Sequence, residues 1–91
     1  MKQLNNKVIF LTGGSEGIGY ECAKAYAHEG ANVVVVANNP VTVKRAIEEL
    51  GSEHLGICCD ISMDEEVKKA IQKTLLRYGR IDAIHNNAGI A

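Results

Sequence analysis

No apolar run in this 91-residue sequence comes near the length of a membrane span: the longest, Val33–Ala37, covers five residues, against roughly 20 for a spanning helix. The opening MKQLNNKV lacks the apolar segment of a secretory signal, so a cytoplasmic location is expected. Charge excess is also missing. Ten Lys and Arg against eleven Asp and Glu leave a net charge of −1, with no basic stripe for nucleic acid and no polybasic membrane anchor. Cysteine is sparse, and no C-x-x-C occurs: Cys58 and Cys59 are adjacent and Cys22 is distant. Neighbouring residues on a strand point to opposite faces, so buried, reduced thiols are expected at all three positions. The three histidines show no metal-ligand spacing. There is no repeat, linker or low-complexity segment, and the chain is read as one domain over residues 1–91. A chain of this length buries only roughly 60–65% of the surface it exposes when unfolded, so its stability should be thin.

What is present alternates strand and helix throughout. Lys7–Thr12 is an apolar run ending in glycine. In 17–29, Ile18, Cys22 and Tyr26 recur at helical spacing, and Gly30 supplies a stop. Asn32–Ala37 is a valine run without alternation, as a strand buried on both faces requires. Asn39-Pro40 reads as an N-cap followed by a first-turn proline. Val43, Ile47 and Leu50 share one face of that helix, which Gly51 ends. His54–Asp60 is a third strand. Ser62-Met63-Asp64-Glu65 fits a capping box opening a helix with Val67, Ile71, Leu75 and Tyr78 as its buried stripe. Ile81–Asn86 is a fourth strand. Strands separated by single helices require right-handed crossovers and a parallel sheet. The expected fold is therefore α/β, a doubly wound Rossmann-type sheet in order 3-2-1-4 with helices on both faces.

The stretch Thr12-Gly13-Gly14-Ser15-Glu16-Gly17-Ile18-Gly19 leaves the first strand at the point where the strand order reverses. It opens a helix, whose free N–H groups and positive dipole end suit a phosphate. Glycine at 13, 17 and 19 permits tight turning and close approach. A P-loop requires Lys and then Ser/Thr after the last glycine; Tyr20 and Glu21 stand there instead. The spacing also differs from G-x-G-x-x-G.

Thr12-Gly13-(x)3-Gly17-Ile18-Gly19, Asp60-Ile61 after the third strand and Asn86-Asn87-Ala88-Gly89 after the fourth together resemble the short-chain dehydrogenases/reductases, in register over nearly the whole chain. The resemblance implies a nicotinamide dinucleotide cofactor. Gly13, Ser15, Glu16, Gly17, Ile18 and Gly19 would form the diphosphate loop. Asp60 and Ile61 would meet adenine, Asn38 would lie near the adenine ribose, and Asn87, Ala88 and Gly89 would contact ribose through their backbone. Asp60 also reads as a helix-capping carboxylate before Ser62, and Asn86 and Asn87 as turn residues bonding their own backbone.

The ribose position reads Ala37, Asn38, Asn39, neither acidic as in NAD-binding relatives nor basic as in NADP-binding ones. Glu16 should repel a 2′-phosphate, whereas Lys44 and Arg45 could offset it; the balance favours NAD over NADP. In the family, hydride passes between nicotinamide and a carbonyl or alcohol substrate, served by a serine and a Tyr-x-x-x-Lys downstream of N-N-A-G. This chain stops at Ala91, so no catalytic residue is assigned and the chain by itself is expected not to turn over. Tyr20 and Lys24 match Y-x-x-x-K by spacing, but their helix starts at the diphosphate loop, far from nicotinamide. They are read as a half-exposed tyrosine and a solvated lysine, and His85 as a satisfied strand residue. A non-catalytic dinucleotide-binding or regulatory module, or a structural partner, remains an alternative. An unpaired fourth strand should promote self-association.

Overall fold

The structure, a computed structural model, describes residues 3–87. Seven elements alternate along the chain: β1 (Val8–Thr12), α1 (Gly17–His28), β2 (Asn32–Ala37), α2 (Pro40–Leu50), β3 (Leu55–Cys58), α3 (Asp64–Tyr78) and β4 (Ala83–Asn86). All strand pairs are parallel and the order is β3-β2-β1-β4, as the crossover argument requires.

β1 and β2 are the centre of the sheet because both of their faces are apolar. Val8, Phe10, Val34 and Val36 pack with Ile57, Cys59 and Ala70 under α3. Ile9, Leu11, Val33 and Val35 pack with Ala23, Ala31 and Ala46 under α1 and α2. Continuous burial along Val33–Val36 is what an unalternating valine run needs to escape water.

Several expectations need correction. Strand ends are shorter than read: β3 omits His54, Cys59 and Asp60, and β4 omits Ile81 and Asp82. Asp82 bonds β1 in another way. Its Oδ2 accepts the Val8 N–H at 2.7 Å, and its own N–H donates to the Val8 carbonyl at 2.8 Å. The Arg80 guanidinium beside it, together with the Val8 N–H, holds the Asp82 carboxyl below the usual carboxylate range.

The capping box at Ser62 does not form. Met63 occupies the N-cap of α3 without a side-chain cap bond. The Ser62 hydroxyl and N–H both donate to Asp60 Oδ1, at 2.7 and 3.0 Å, and Glu66 rather than Glu65 reaches back, to the Asp60 N–H at 2.9 Å. An Asx-turn has won over the box, because aspartate accepts two donors where serine would accept one.

The buried face of α3 centres on Ala70 and Thr74, flanked by Val67, Ile71 and Tyr78; Leu75 is 44% exposed. The Thr74 hydroxyl is satisfied by the Ala70 carbonyl at 2.9 Å. Similarly, α1 meets the sheet through Gly19 and Ala23, leaving Ile18 77% exposed. Small residues at both contact centres let the helices approach the sheet closely. Of the thiols only Cys59 is buried; Cys22 is intermediate and Cys58 exposed, and none is paired. The period-2 argument explains the split: Cys59 turns toward α3, and its neighbour turns away.

Asn39 caps α2 as expected, its Oδ1 accepting the N–H groups of Val41 and Thr42 at 3.0 and 3.4 Å. His54 is buried just before β3, with its Nδ1 accepting the Val33 N–H at 3.0 Å. Burial holds its pKa below the ordinary histidine value.

Candidate functional site

The glycine loop leaves β1 at the carboxyl edge of the sheet, between β2 and β4. Its two left-handed residues are Gly13 (φ 71°) and Gly17 (φ 56°). Gly13 extends the β1–β2 pairing by one bond, its N–H donating to the Val36 carbonyl at 2.7 Å, and the chain then turns. Gly17 begins α1 with open space around it; a Cβ there would meet nothing within 4 Å. Its glycine is a conformational requirement.

Gly19 answers to a different constraint. A Cβ at that position would lie 2.0 Å from the Gly13 carbonyl oxygen and 2.8 Å from Asn87 Nδ2. The first turn of α1 therefore rests directly on the start of the loop. The N-cap residue Glu16 is extended (φ −145°) and offers no side-chain cap. Among the described residues, the N–H groups of Gly17, Ile18 and Gly19 find no acceptor. Glu16, Gly17 and Ile18 are exposed and Gly19 is buried, so the opening of a 12-residue helix, with its positive dipole end, faces solvent at residues 16–18. That arrangement attracts an anionic oxygen.

β4 is tied to this loop by side chains. Thr12 Oγ1 lies 3.0 Å from Asn86 Oδ1 and donates to it, the Asn87 N–H donates to the Thr12 carbonyl at 3.2 Å, and Asn87 Nδ2 donates to the Gly13 carbonyl at 3.4 Å. Among the described residues the Asn87 side chain bonds the glycine loop, not its own backbone as the turn reading had it. Ala88 and Gly89 lie outside the described residues.

Beside the loop a cleft of about 320 Å³ opens across the ends of β1, β2 and β3. Gly13, Asn38, Asp60 and Ile61 all line it, with Val36, Ala37 and Cys59 as its floor. Four of the expected site residues therefore converge in one place. Ser62 satisfies Asp60 Oδ1 and, with its hydroxyl first, holds that carboxyl below its usual range; Oδ2 has no partner among the described residues. Asp60 does not cap α3, whose N-cap residue Met63 has no side-chain cap bond; it closes an Asx-turn on Ser62 instead. Ile61 also borders a second, apolar cleft of about 210 Å³ between the sheet and α3.

Lys44 and Arg45 do not line the 320 Å³ cleft. They lie with Pro40, Val41 and Glu48 around a separate depression on α2. Ser15 is fixed from α2, its Oγ 2.9 Å from Thr42 Oγ1, a contact for which the spacing of residues gave no signal.

Tyr20 and Lys24 make the local contacts expected of surface residues. The Tyr20 hydroxyl donates to Glu49 at 2.9 Å, and Lys24 pairs with Glu21 at 2.6 Å while its Nζ sits 5.1 Å from the Tyr20 ring centre. Burial and Glu49 raise the Tyr20 pKa, the wrong direction for an acid/base tyrosine at neutral pH. His85 Nδ1 lies 2.7 Å from the Tyr26 hydroxyl, a satisfied pair on the α1 side of β4. No group of three or more His, Cys, Asp or Glu able to hold a metal occurs among the described residues.

A family model described as short chain dehydrogenase matches residues 7–91. The chain belongs to the short-chain dehydrogenase family. Among curated proteins of this family, it is 42% identical over 91 residues to 3-oxoacyl-[acyl-carrier-protein] reductase FabG of Chlamydia muridarum, covering 96% of this chain and 37% of that protein. It is 38% identical over 90 residues to (+)-cis,trans-nepetalactol synthase NEPS1 of Nepeta racemosa, covering 98% and 33%. Among solved structures, the 3-ketoacyl-(acyl-carrier-protein) reductase of Brucella melitensis complexed with NADH superposes with a TM-score of 0.88 at 33% identity, over 90% of this chain and 34% of that one. The chain thus spans about a third of the length of the short-chain dehydrogenases it matches. No helix among the described residues is long and apolar enough to cross a membrane.

Proposed function

We propose that this chain is the dinucleotide-binding portion of an NAD(P)-dependent short-chain oxidoreductase that moves hydride between a nicotinamide and a carbonyl or alcohol. The observation that carries the reading is the uncapped, exposed first turn of α1, seated on Gly13 through a glycine with no room for a Cβ. Such a seat lets an anion approach the free amides to hydrogen-bond distance, which a side chain would prevent. The residues fit a dinucleotide: the loop takes the diphosphate, Asp60 Oδ2 and the Ile61 backbone meet adenine in the 320 Å³ cleft, and Asn38 faces the adenine ribose. Asn87, beside the loop, would contact the further ribose. When bound, the nicotinamide supplies the hydride chemistry; this chain's own residues bind and orient.

NAD is favoured over NADP. Among the described residues no cationic side chain lines the cleft, and Lys44 and Arg45 border another depression. The α2 amides of Val41 and Thr42 are already held by Asn39, so a 2′-phosphate would meet neither a cation nor a free helix terminus, with the Glu16 carboxylate nearby in the loop. The substrate is left to its class, a carbonyl or alcohol, because relatives of similar identity carry names as different as an acyl-carrier-protein reductase and a nepetalactol synthase. Titration of the chain with NADH, followed by nicotinamide fluorescence, tests the reading: saturable binding, weaker for NADPH, is expected, and no saturable binding of either would refute it.

A further inference from the structure

We propose that Thr42, on the first turn of α2, is a positioning residue that orients the Ser15 hydroxyl toward the diphosphate; the proposal rests on the cofactor reading above. Thr42 Oγ1 lies 2.9 Å from Ser15 Oγ and 3.2 Å from the Asn39 carbonyl oxygen. Thr42 is held firmly. Its own N–H donates to Asn39 Oδ1, and Pro40 fixes the turn before it. Both hydroxyls are half-buried, and the contact joins residues 27 apart in sequence.

Each hydroxyl carries one proton and can accept as well, so the chain Ser15–Thr42–Asn39 has two satisfied arrangements. With no anion at the loop, the Ser15 hydroxyl donates to Thr42 Oγ1, and the Thr42 hydroxyl donates to the Asn39 carbonyl. With an anionic oxygen at the loop, the Thr42 hydroxyl turns to donate to Ser15 Oγ, and the Ser15 hydroxyl turns outward to donate to that oxygen. The change is rotation about two C–O bonds; no bond breaks and each proton stays on its own oxygen. In the second arrangement the bond accepted from Thr42 polarises the Ser15 O–H and strengthens what it donates. No other described residue donates to Ser15 Oγ, so Thr42 alone can serve this role.

The test is a double-mutant cycle on the 91-residue chain, with NADH affinity read by fluorescence and stability by urea unfolding. Thr42→Val keeps the branched shape and removes the hydroxyl; it should weaken NADH binding by about three- to tenfold, the worth of one hydrogen bond. Thr42→Ser should restore wild-type affinity. Ser15→Ala should weaken binding comparably, and adding Thr42→Val to it should cost nothing more, because the two act as one unit. Wild-type affinity in Thr42→Val, losses that multiply in the double variant, failure of Thr42→Ser to rescue, or weakening only in proportion to an unfolded fraction would each overturn the proposal. No saturable NADH binding by the wild-type chain would refute the cofactor reading, and the role of Thr42 with it. Wild-type binding with Thr42→Val unchanged refutes the role of Thr42 alone.

Discussion

Gly17 and Gly19 stand two residues apart in the same turn, and the structure gives them opposite reasons to be glycine. At Gly17 the backbone is left-handed (φ 56°) and the space around it is empty. At Gly19 the backbone is helical and the space is filled, with the Gly13 carbonyl oxygen 2.0 Å from where a Cβ would stand. Substitutions should therefore rank differently. At Gly17, alanine should cost about 1–2 kcal/mol for the left-handed conformation, and asparagine, which tolerates that region, should cost less. At Gly19, alanine must push backbone away by more than an ångström. The neighbour is not the end of a flexible side chain, so overpacking of about 1–3 kcal/mol is expected, with asparagine worse than alanine. Displacing Gly13 also disturbs the loop, so Gly19→Ala should lose NADH affinity beyond what its stability loss explains, whereas folded Gly17→Asn should retain most of it. Urea unfolding and NADH titration on the four variants decide the matter. The same ranking of alanine and asparagine at both positions, or wild-type affinity in Gly19→Ala, would refute the separation of conformational from steric need.

Other perturbations follow from single contacts. His54 is held neutral by burial while its Nδ1 accepts the Val33 N–H; its folded pKa is depressed, so the stability it contributes is present above about pH 6.5 and is lost as pH falls through the folded value. Melting temperature should accordingly drop between pH 7 and pH 5, and His54→Asn, which keeps an acceptor without titrating, should flatten that drop; an unchanged profile would contradict the assignment. Glu16→Arg should move the NADH-to-NADPH affinity ratio toward NADPH by about tenfold or less, and an unmoved ratio would remove Glu16 from cofactor choice. β4 is an edge strand among the described residues, and its Ile84 is 62% exposed on the α3 side beside Phe10 and Ile71. Concentration-dependent self-association by light scattering is therefore expected, reduced by Ile84→Lys; a monomer at all concentrations would count against it.

The sheet order was legible because each strand is separated from the next by one helix, and crossover handedness leaves few arrangements. The valine run announced the central strand, and Asn39-Pro40 announced its helix start, because both signals are local. The capping box failed because a second local signal, Asp60 two residues before Ser62, takes the Ser62 N–H that Glu65 would need and draws the hydroxyl as a donor, and spacing does not say which carboxylate wins. Leu75 was misplaced because residues of the right polarity lie on the wrong side of the stripe; the true centre is Ala70 and Thr74, one small and one polar, and neither advertises burial. Ile18 was misjudged likewise, since α1 needs Gly19 and Ala23 against the sheet and turns isoleucine out.

The loop residues of the site were visible for the same reason that the loop works. Glycine where the chain needs strain or contact has no other use. The ties that hold them were not visible. Thr12 to Asn86, Asn87 to Gly13 and Thr42 to Ser15 each join residues far apart in sequence, through side chains that are common on any surface. The position of Lys44 and Arg45 relative to the cleft depended on the rotation of α2, which the sequence pattern does not specify closely enough to place a long side chain.

The central claim is that bare amides at the start of α1 hold a diphosphate. Its most direct test is amide-resolved NMR of the 91-residue chain titrated with ADP-ribose, which carries the diphosphate and adenine without nicotinamide. The account predicts saturable shifts largest at Gly13, Gly17, Ile18 and Gly19, with smaller ones at Asn38, Asp60 and Ile61. Saturation with those four amides unmoved, or no saturation at all, would contradict it.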